Sequence, residues 1–320
     1  MKNLHNEIVK VLEYFHFFNY APNSGEIFTF LTKKIHERRL EGILSQMVEK
    51  GIITSHKIVH NSEFKIHNSI RYTLGEYDTL SRRSKMAIEQ YSHKYLISQK
   101  KLQNILFCLY IKLLSFFPQI QLIGLSGSVA MMNVDKNDDI DLFIITAKNR
   151  LWSARLICLL FAQLLGLRRK RLTAQAKDKI CLNLFFDGRN LAVPRYKQTE
   201  YVAHEVLQMK PIISKNYTYE KFLNANSWVF NVFPNAKEEL SIKNQVSRKK
   251  ILNSKYLILN TLADKVEKLL KSLQLYFINR HRIKEIITDT QLWFHPEDFG
   301  EKIKVEYVKG ERGHHLSVPE

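Results

Sequence analysis

Two aspartates at the start of an apolar run, Asp139 and Asp141, constrain this chain more than any other feature of its sequence. The run at 140–146 is β-branched and apolar, which predicts a buried strand. Because side chains alternate along a strand, both carboxylates point to the same face. Neighbouring carboxylates repel each other, and one of them keeps its proton unless a cation lies between them. Hard oxygen ligands at this spacing suit Mg²⁺, so the sequence predicts a metal site at the start of the strand.

A small turn, Gly127 and Ser128, precedes the two aspartates by ten residues. Its backbone N–H groups and hydroxyl can approach a triphosphate closely. This pattern resembles the nucleotidyltransferase superfamily, which has the DNA polymerase β-like fold. The resemblance implies that Gly127 and Ser128 hold the triphosphate and that Asp139 and Asp141 bind catalytic Mg²⁺ or Mn²⁺. The alternative is an Asp-rich surface loop at 135–139 before an ordinary strand, although an unpaired Asp141 would be costly to bury there.

The third position of this pattern departs from the family. A third carboxylate usually comes from a strand that follows the pair, and here the next buried strand is predicted at 179–186. Its inward residue is Asn183, with Asp178 before the strand and Asp187 just past its end. An asparagine coordinates or orients water but is a poor general base. Asn183 is therefore the candidate third-site residue, and the site has one ligand charge fewer than the family pattern.

Two functions follow from the motif and its departure. The first is transfer of a nucleoside monophosphate from an NTP to a hydroxyl of RNA, a protein or a small molecule, with metal ions holding the reacting groups. The second is a DNA-binding or scaffold protein whose nucleotidyltransferase fold binds nucleotide without turnover. The sequence selects neither the acceptor nor the base.

The N-terminal quarter predicts three helices followed by a β-hairpin. The helices are expected at 3–16, from about Ser24 after a capping box at Asn23–Glu26, and at 36–50; the strands are expected at 52–59 and 64–74, around a turn at 60–63. This is the element order of a winged helix-turn-helix. The candidates for its exposed face are Arg38, Arg39, Gln46 and Lys50 on the third helix and Lys57, Lys65 and Arg71 on the wing.

Contact with DNA is one interpretation of that unit, and a protein–protein module is the other. Glu37, Glu41 and Glu49 on the third helix weigh against DNA, since they would face phosphates unfavourably. The net charge of +18, from 49 Lys and Arg against 31 Asp and Glu, favours a polyanionic partner. High Lys and Asn usage also reflects genome composition, so a solvated basic surface stays open.

The apolar runs at 105–111 and 156–167 are too short to span a bilayer, and the N-terminal residues do not have the pattern of a signal peptide. We therefore expect a cytoplasmic protein with no membrane partner. Cys108, Cys158 and Cys181 lie in separate apolar runs, which predicts three buried free thiols rather than a disulfide frame.

These patterns predict an α+β chain. Its parts are a winged helix-turn-helix at 1–78, a helical connector at 79–117, a polymerase β-like nucleotidyltransferase core at 118–200 and a mainly helical C-terminal region at 201–320. The oligomeric state is open.

Two long helices are predicted to turn apolar stripes toward the core. The first, at about 150–167, has Trp152, Leu156, Leu159, Leu160 and Leu164; the second, at about 256–282, has Leu259, Leu262, Val266, Leu269, Leu273 and Tyr276. The basic run at 168–171 either holds phosphates or stabilises the end of the first helix. Three roles are open for His295, which stands beside Pro296: a ligand, an acid–base group or a structural residue. The two histidines at 314–315 are assigned no metal.

Overall fold

The computed structural model describes residues 2–62, 65–75, 81–169, 176–238, 260–280 and 285–294. Within them the chain is a mixed α+β structure, as expected. The helices are α1 (Lys2–Phe17), α2 (Ser24–Thr29), α3 (Glu37–Glu49), α4 (Ser81–Gln103), α5 (Ile105–Ser115), α6 (Gly127–Ala130), α7 (Leu151–Leu164), α8 (Glu200–Gln208), α9 (Thr218–Ala225), α10 (Val229–Val232) and α11 (Asn260–Asn279). The strands are β1 (Ile53–Ser62), β2 (Lys65–Leu74), β3 (Ile120–Leu125), β4 (Ile140–Thr146), β5 (Ile180–Asp187), β6 (Lys210–Ser214), β7 (Ile286–Ile287) and β8 (Gln291–Trp293). None of the helices in the described ranges has the length and apolar character needed to cross a bilayer.

The main sheet has the strand order β6-β3-β4-β5-β8-β7. Strands β4 and β5 run parallel, and the other neighbours are antiparallel. Because β3 is antiparallel to β4, the end of β3 at Leu125 lies beside Leu142, near the start of β4. The parallel pairing sets Asp141 opposite Cys181. One end of the sheet therefore collects the turn after β3 and the first residues of β4 and β5.

Strands β6, β7 and β8 come from the region beyond residue 200, for which the sequence indicated mainly helices. They are short, with five, two and three residues. Such strands leave little periodicity to detect. Their hydrogen bonds to β3 and β5 tie this region to the central strands.

Each face of the sheet buries its own apolar cluster because side chains alternate along the strands. On one face Phe143 and Phe186 pack with residues of α1, α2, α3, α8 and α9. On the other face Leu142 and Phe185 pack with residues of α5 and α7 and with Ile278 of α11. The N-terminal helices thus share one continuous core with the central strands.

The N-terminal elements follow the predicted order. The capping box is present: the Asn23 side chain accepts from Glu26 N, and Asn23 N donates to the Glu26 carboxylate. Strands β1 and β2 form an antiparallel hairpin that extends closer to the turn than predicted. Residues 63 and 64 of that turn lie outside the described residues, as does the side chain of Lys65.

Arg71 is not on an exposed wing, so this prediction was wrong. The residue is 7% exposed, and its guanidinium donates to Glu26, Tyr20 and Tyr91. A buried cation needs such partners because desolvation is costly. Arg71 joins β2 to α2 and α4 instead of contacting DNA. Arg38, Arg39, Gln46, Lys50 and Lys57 are exposed as expected.

The predicted core faces of the two long helices were largely wrong. Trp152 of α7 is buried, but Leu160 and Leu164 are exposed, and Ala154, Cys158 and Ala162 pack inward instead. On α11 the predicted stripe is exposed at Val266, Leu269, Leu273 and Tyr276. That helix buries Glu267 and Gln274, which hydrogen-bond to α7. Specific polar contacts, rather than the leucine stripe, set its orientation.

Cys158 and Cys181 are buried free thiols as predicted, whereas Cys108 is exposed. Cys108 lies on the outer side of α5, whose inner side is formed by Phe107, Tyr110, Ile111 and Leu114. Residues 170 and 171 of the basic run, His295 and the 314–315 pair lie outside the described residues.

Candidate metal and nucleotide site

The turn after β3 lies directly against the second aspartate. Ser126 N donates to the Asp141 backbone oxygen at 3.1 Å. Gly127 follows with φ of +60°, and a Cβ built there would be 2.9 Å from Asp141 Oδ2. Glycine satisfies both demands, because it tolerates positive φ and has no Cβ. The turn and the carboxylate predicted as one site therefore do meet, and Ser128 lines the same cavity.

Asp139, Asp141 and Cys181 have potential ligand atoms within 4.8 Å of one another. Asn183 lies beside them, and its Nδ2 donates to Asp141 Oδ1 at 2.6 Å. Asn183 Oδ1 accepts from the Cys181 thiol, also at 2.6 Å. All five sequence-predicted site residues are thus brought together at the same end of the sheet.

The electrostatics of the site centre on Asp141. Burial, with added repulsion from Asp139 and Glu205, raises the pKa of Asp141 to about 8. A carboxyl with this pKa is protonated at neutral pH unless a cation stabilises its charge. Asp139 has such a cation, because Arg169 forms an ion pair with it. Among the described residues no ion pair is formed by Asp141.

Cys181 is a poor ligand for a soft metal in this arrangement. Burial, and then the charges of Asp141 and Asp139, raise the pKa of the Cys181 thiol above its usual range. The thiol stays protonated and donates to Asn183. Because zinc binds the thiolate, the oxygen pair is the better donor set, and it suits Mg²⁺ or Mn²⁺.

A cavity of about 570 Å³ opens onto the aspartate pair. One wall is aromatic and comes from the N-terminal helix and the residues after it, including Tyr14, Phe18 and Tyr20. A second wall comes from α8, which contributes Tyr201, Glu205 and Gln208. The volume lies in the range typical of small-molecule sites.

The loop that carries the motif into β4 is held by α4. Lys94 pairs with Asp135 at 3.4 Å, and Ser98 Oγ accepts from Val134 N at 3.3 Å. Lys101 donates to the Asp138 backbone oxygen at 2.8 Å and pairs with Asp178 at 2.7 Å. These contacts fix the approach to Asp139, so the segment is not a loose acidic loop.

Lys94, Arg169 and Glu205 all line the cavity. From the sequence, Arg169 had a role only as part of the basic run at 168–171, and Glu205 had none. Burial raises the pKa of Glu205 to about 7, while a hydrogen bond with Tyr201 opposes the shift. The one available signal was the spacing of Tyr201, Glu205 and Gln208, which places them on one face of a helix. Nothing in that spacing connects α8 to a motif some sixty residues earlier.

Comparison with protein-family models, curated proteins and solved structures gives no match for this chain.

Proposed function

We propose that this protein is a metal-dependent nucleotidyltransferase that transfers a nucleoside monophosphate from an NTP to a hydroxyl acceptor. The observation that supports the proposal is the contact between Gly127 and Asp141, within one cavity that Asp139 and Ser128 also line. A glycine turn against a half-buried carboxylate pair is what a triphosphate and its metal require. The proposal includes a polymerase β-like core and a winged-helix unit at the N-terminus, working in the cytoplasm.

The residues fit Mg²⁺ or Mn²⁺. Asp139 and Asp141 would hold the metal, since their ligand atoms lie within 4.8 Å of each other and Asp141 is a half-buried carboxylate that forms no ion pair among the described residues. When bound, such ions lower the energy of charge that develops on phosphoryl oxygens. The metal has to compete with Arg169 for Asp139.

The protein groups position the reactants. The Gly127 backbone and the Ser128 hydroxyl would face the phosphates, and Lys94 and Arg169 are the cations of the described cavity lining that balance their charge. Asn183 holds the Asp141 carboxylate in place. The acceptor hydroxyl gives up its proton to water, and its oxygen forms a bond to the α-phosphorus. The bond from that phosphorus to the bridging oxygen breaks, and pyrophosphate leaves. Close placement in a confined cavity accelerates such a step.

Label transfer tests the proposal directly. With each α-³²P-labelled NTP and Mg²⁺ or Mn²⁺, the protein should label an acceptor in total RNA, in a metabolite extract or on itself. Asp139→Asn and Asp141→Asn should each reduce transfer at least about 100-fold, because the metal loses a charged ligand. The matched control is Asp289→Asn on the exposed loop before β8, which should leave transfer unchanged.

The second candidate is a binding module that uses the nucleotidyltransferase fold without turnover. It is favoured by Asn183 at the third position and by the exposed Arg38 and Arg39 on α3. Under this function the aspartate variants would transfer no less label than the wild type. Arg38→Ala with Arg39→Ala would instead weaken a salt-dependent affinity for DNA or RNA.

A further inference from the structure

The aromatic side of the cavity offers a ligand more than a covering wall. Phe18 and Tyr201 are the half-buried rings of the described lining, whereas Tyr14, Phe15 and Tyr20 are buried. A ring that keeps part of its surface open to a cavity is able to stack on a planar ligand. The cavity therefore has an aromatic subsite in addition to the carboxylate pair and the glycine turn.

Asn133 joins Phe18 to that turn. Its Nδ2 donates to the Phe18 backbone oxygen at 2.9 Å, and its backbone N donates to the Ser128 backbone oxygen at 2.9 Å. Asn133 is 8% exposed and lines the same cavity. One residue thus bridges Ser128, which would face the phosphates, and Phe18, whose ring faces the cavity. The aromatic subsite and the turn are parts of one hydrogen-bonded arrangement.

The Phe18 ring is held in place by the end of α1 and by α8. Asn19 N donates to the His16 oxygen at 2.9 Å, and Asn19 has a φ of +50°, the left-handed conformation that commonly ends a helix. The Phe18 ring contacts the Tyr14 ring edge-on with centroids 5.4 Å apart, and Tyr14 stacks on His204 of α8 at 3.6 Å. A ring that is ordered before a ligand arrives costs little entropy when the ligand stacks on it.

The polar groups around the two rings suit a heteroaromatic ligand. Asn19 and Gln208 line the cavity, and each amide has both donors and an acceptor for the edge of a base. Lys94 and Arg169, the cations of the described lining, suit the phosphates. An aromatic face, amides and cations in one cavity match the two ends of a single nucleotide.

We propose that the nucleobase of the donor NTP stacks on Phe18, so that the N-terminal unit supplies the base subsite of the cavity. This inference rests on the proposed function, since it concerns the same nucleotide. Tyr201 borders the base from the adjoining wall, and the triphosphate extends past Asn133 to the turn at Gly127. Every base has a π face, so Phe18 contributes affinity for all four NTPs.

Binding of nucleotides and of a ligand without a base tests this subsite without relying on turnover. Calorimetry in Mg²⁺ uses the α,β-methylene analogues of the four NTPs and inorganic tripolyphosphate. Phe18→Leu keeps an apolar side chain and removes the ring, so it should weaken binding of the analogues at least about fivefold, the lower end of what one stacked base contributes. Tripolyphosphate affinity should change less than about twofold. An equal loss for both ligands would mean that Phe18 only packs, and the inference would be overturned.

Phe17→Leu is the matched control. Phe17 is the preceding residue of the chain, is half-buried, and contacts the Phe18 ring with centroids 5.0 Å apart, but it does not line the cavity. This variant removes a ring from the same aromatic group and should change the affinity for either ligand less than about twofold. A loss of analogue affinity as large as that in Phe18→Leu would contradict the stacking role.

A fluorescent ring at this position gives a signal that a packing role would not produce. Phe18→Trp keeps a stacking surface, and a base that stacks on the new indole quenches its fluorescence. The wild type, which has three tryptophans of its own, is the reference. The analogues should quench Phe18→Trp more than they quench the wild type, and tripolyphosphate should not. Equal quenching by the analogues in both proteins would contradict the inference.

The remaining outcomes separate this inference from the proposed function. If the analogues bind the wild type and Phe18→Leu alike, the base subsite is wrong and the proposed function stands. If Phe18→Leu loses the analogues but the wild type transfers no label, the proposed reaction is wrong and the base subsite stands. Tripolyphosphate that binds the wild type as tightly as every analogue overturns the base subsite, and absence of analogue binding overturns both. Should Phe18→Leu fail to fold, the fluorescence of Phe18→Trp decides.

Discussion

Gly127 has a φ of +60° and a hydrogen where any other residue would carry a Cβ 2.9 Å from Asp141 Oδ2. We expect Gly127→Ala to lower the free energy of unfolding by about 1–2 kcal/mol, the cost of a left-handed conformation in a residue with a Cβ. It should also weaken Mn²⁺ binding at least about tenfold, since Asp141 has to move. Denaturant titration and calorimetry measure the two effects.

Gly166 provides the control for strain alone. Its φ is +66°, and a Cβ there would meet nothing within 4 Å. Gly166→Ala should lose a similar unfolding free energy and keep its Mn²⁺ affinity. Equal metal affinity in the two variants would show that the turn does not support the carboxylate.

Local sequence was sufficient for one half of the site. Gly127, Asp139 and Asp141 are joined by a short chain segment. Strand alternation placed the two carboxylates on one face, and the resemblance of the segment to the nucleotidyltransferase pattern indicated that the turn belongs to the same site. Glu205 comes from a separate helix, and its distance from Asp141 depends on how α8 packs on the sheet. Arg71 shows the same limit, because its partners Glu26 and Tyr91 lie 45 and 20 residues away. Spacing in a sequence does not report contacts of that kind.

At the scale of elements, α11 is attached to α7 through a carboxylate at the start of a helix. Glu267 is 9% exposed and accepts from Trp152 N at 2.5 Å and from Ser153 N at 3.2 Å. These N–H groups have no partner inside α7, and a negative charge there is favoured. Glu267→Gln should therefore reduce the free energy of unfolding by about 1–2 kcal/mol in urea titration.

The exposed neighbour Lys268 is the control for that change. Lys268→Gln alters a charge on the same turn without touching α7 and should stay within about 0.5 kcal/mol of the wild type. An equal loss in both variants would contradict a capping role. Apolar periodicity predicted helix α11 but not the face that it buries. The free energy gained when Glu267 caps α7 outweighs the cost of leaving the leucine stripe of α11 exposed.

At the scale of the whole molecule, His204 joins α8 to the N-terminal helices. Its ring stacks on Tyr14 at 3.6 Å and on Phe30 at 4.2 Å, and burial lowers its pKa well below 6.5. Below pH 6.5 the unfolded chain binds a proton at this position and the folded protein does not. The contribution of His204 to the free energy of unfolding is therefore fully present above pH 6.5. Below that pH it falls by up to about 1.4 kcal/mol per pH unit.

His204→Phe keeps the aromatic stack and removes the proton site. The difference in unfolding free energy between wild type and variant should be constant above about pH 7. Toward pH 5 the wild type should lose stability relative to the variant. The exposed His93 serves as the control, and His93→Gln should follow the wild type across this range. If the difference in unfolding free energy between the wild type and His204→Phe did not change with pH, the buried ring would accept a proton without cost.

The shared core of α1 and the central strands has a practical consequence for anyone who shortens this protein. The cavity takes one of its walls from Tyr14, Phe18 and Tyr20, and Phe15 of the same segment contacts His204 of α8. A fragment that begins at residue 79 would lose that wall and leave the aromatic face of α8 in water. The N-terminal unit therefore completes the candidate site and cannot be removed without opening the cavity.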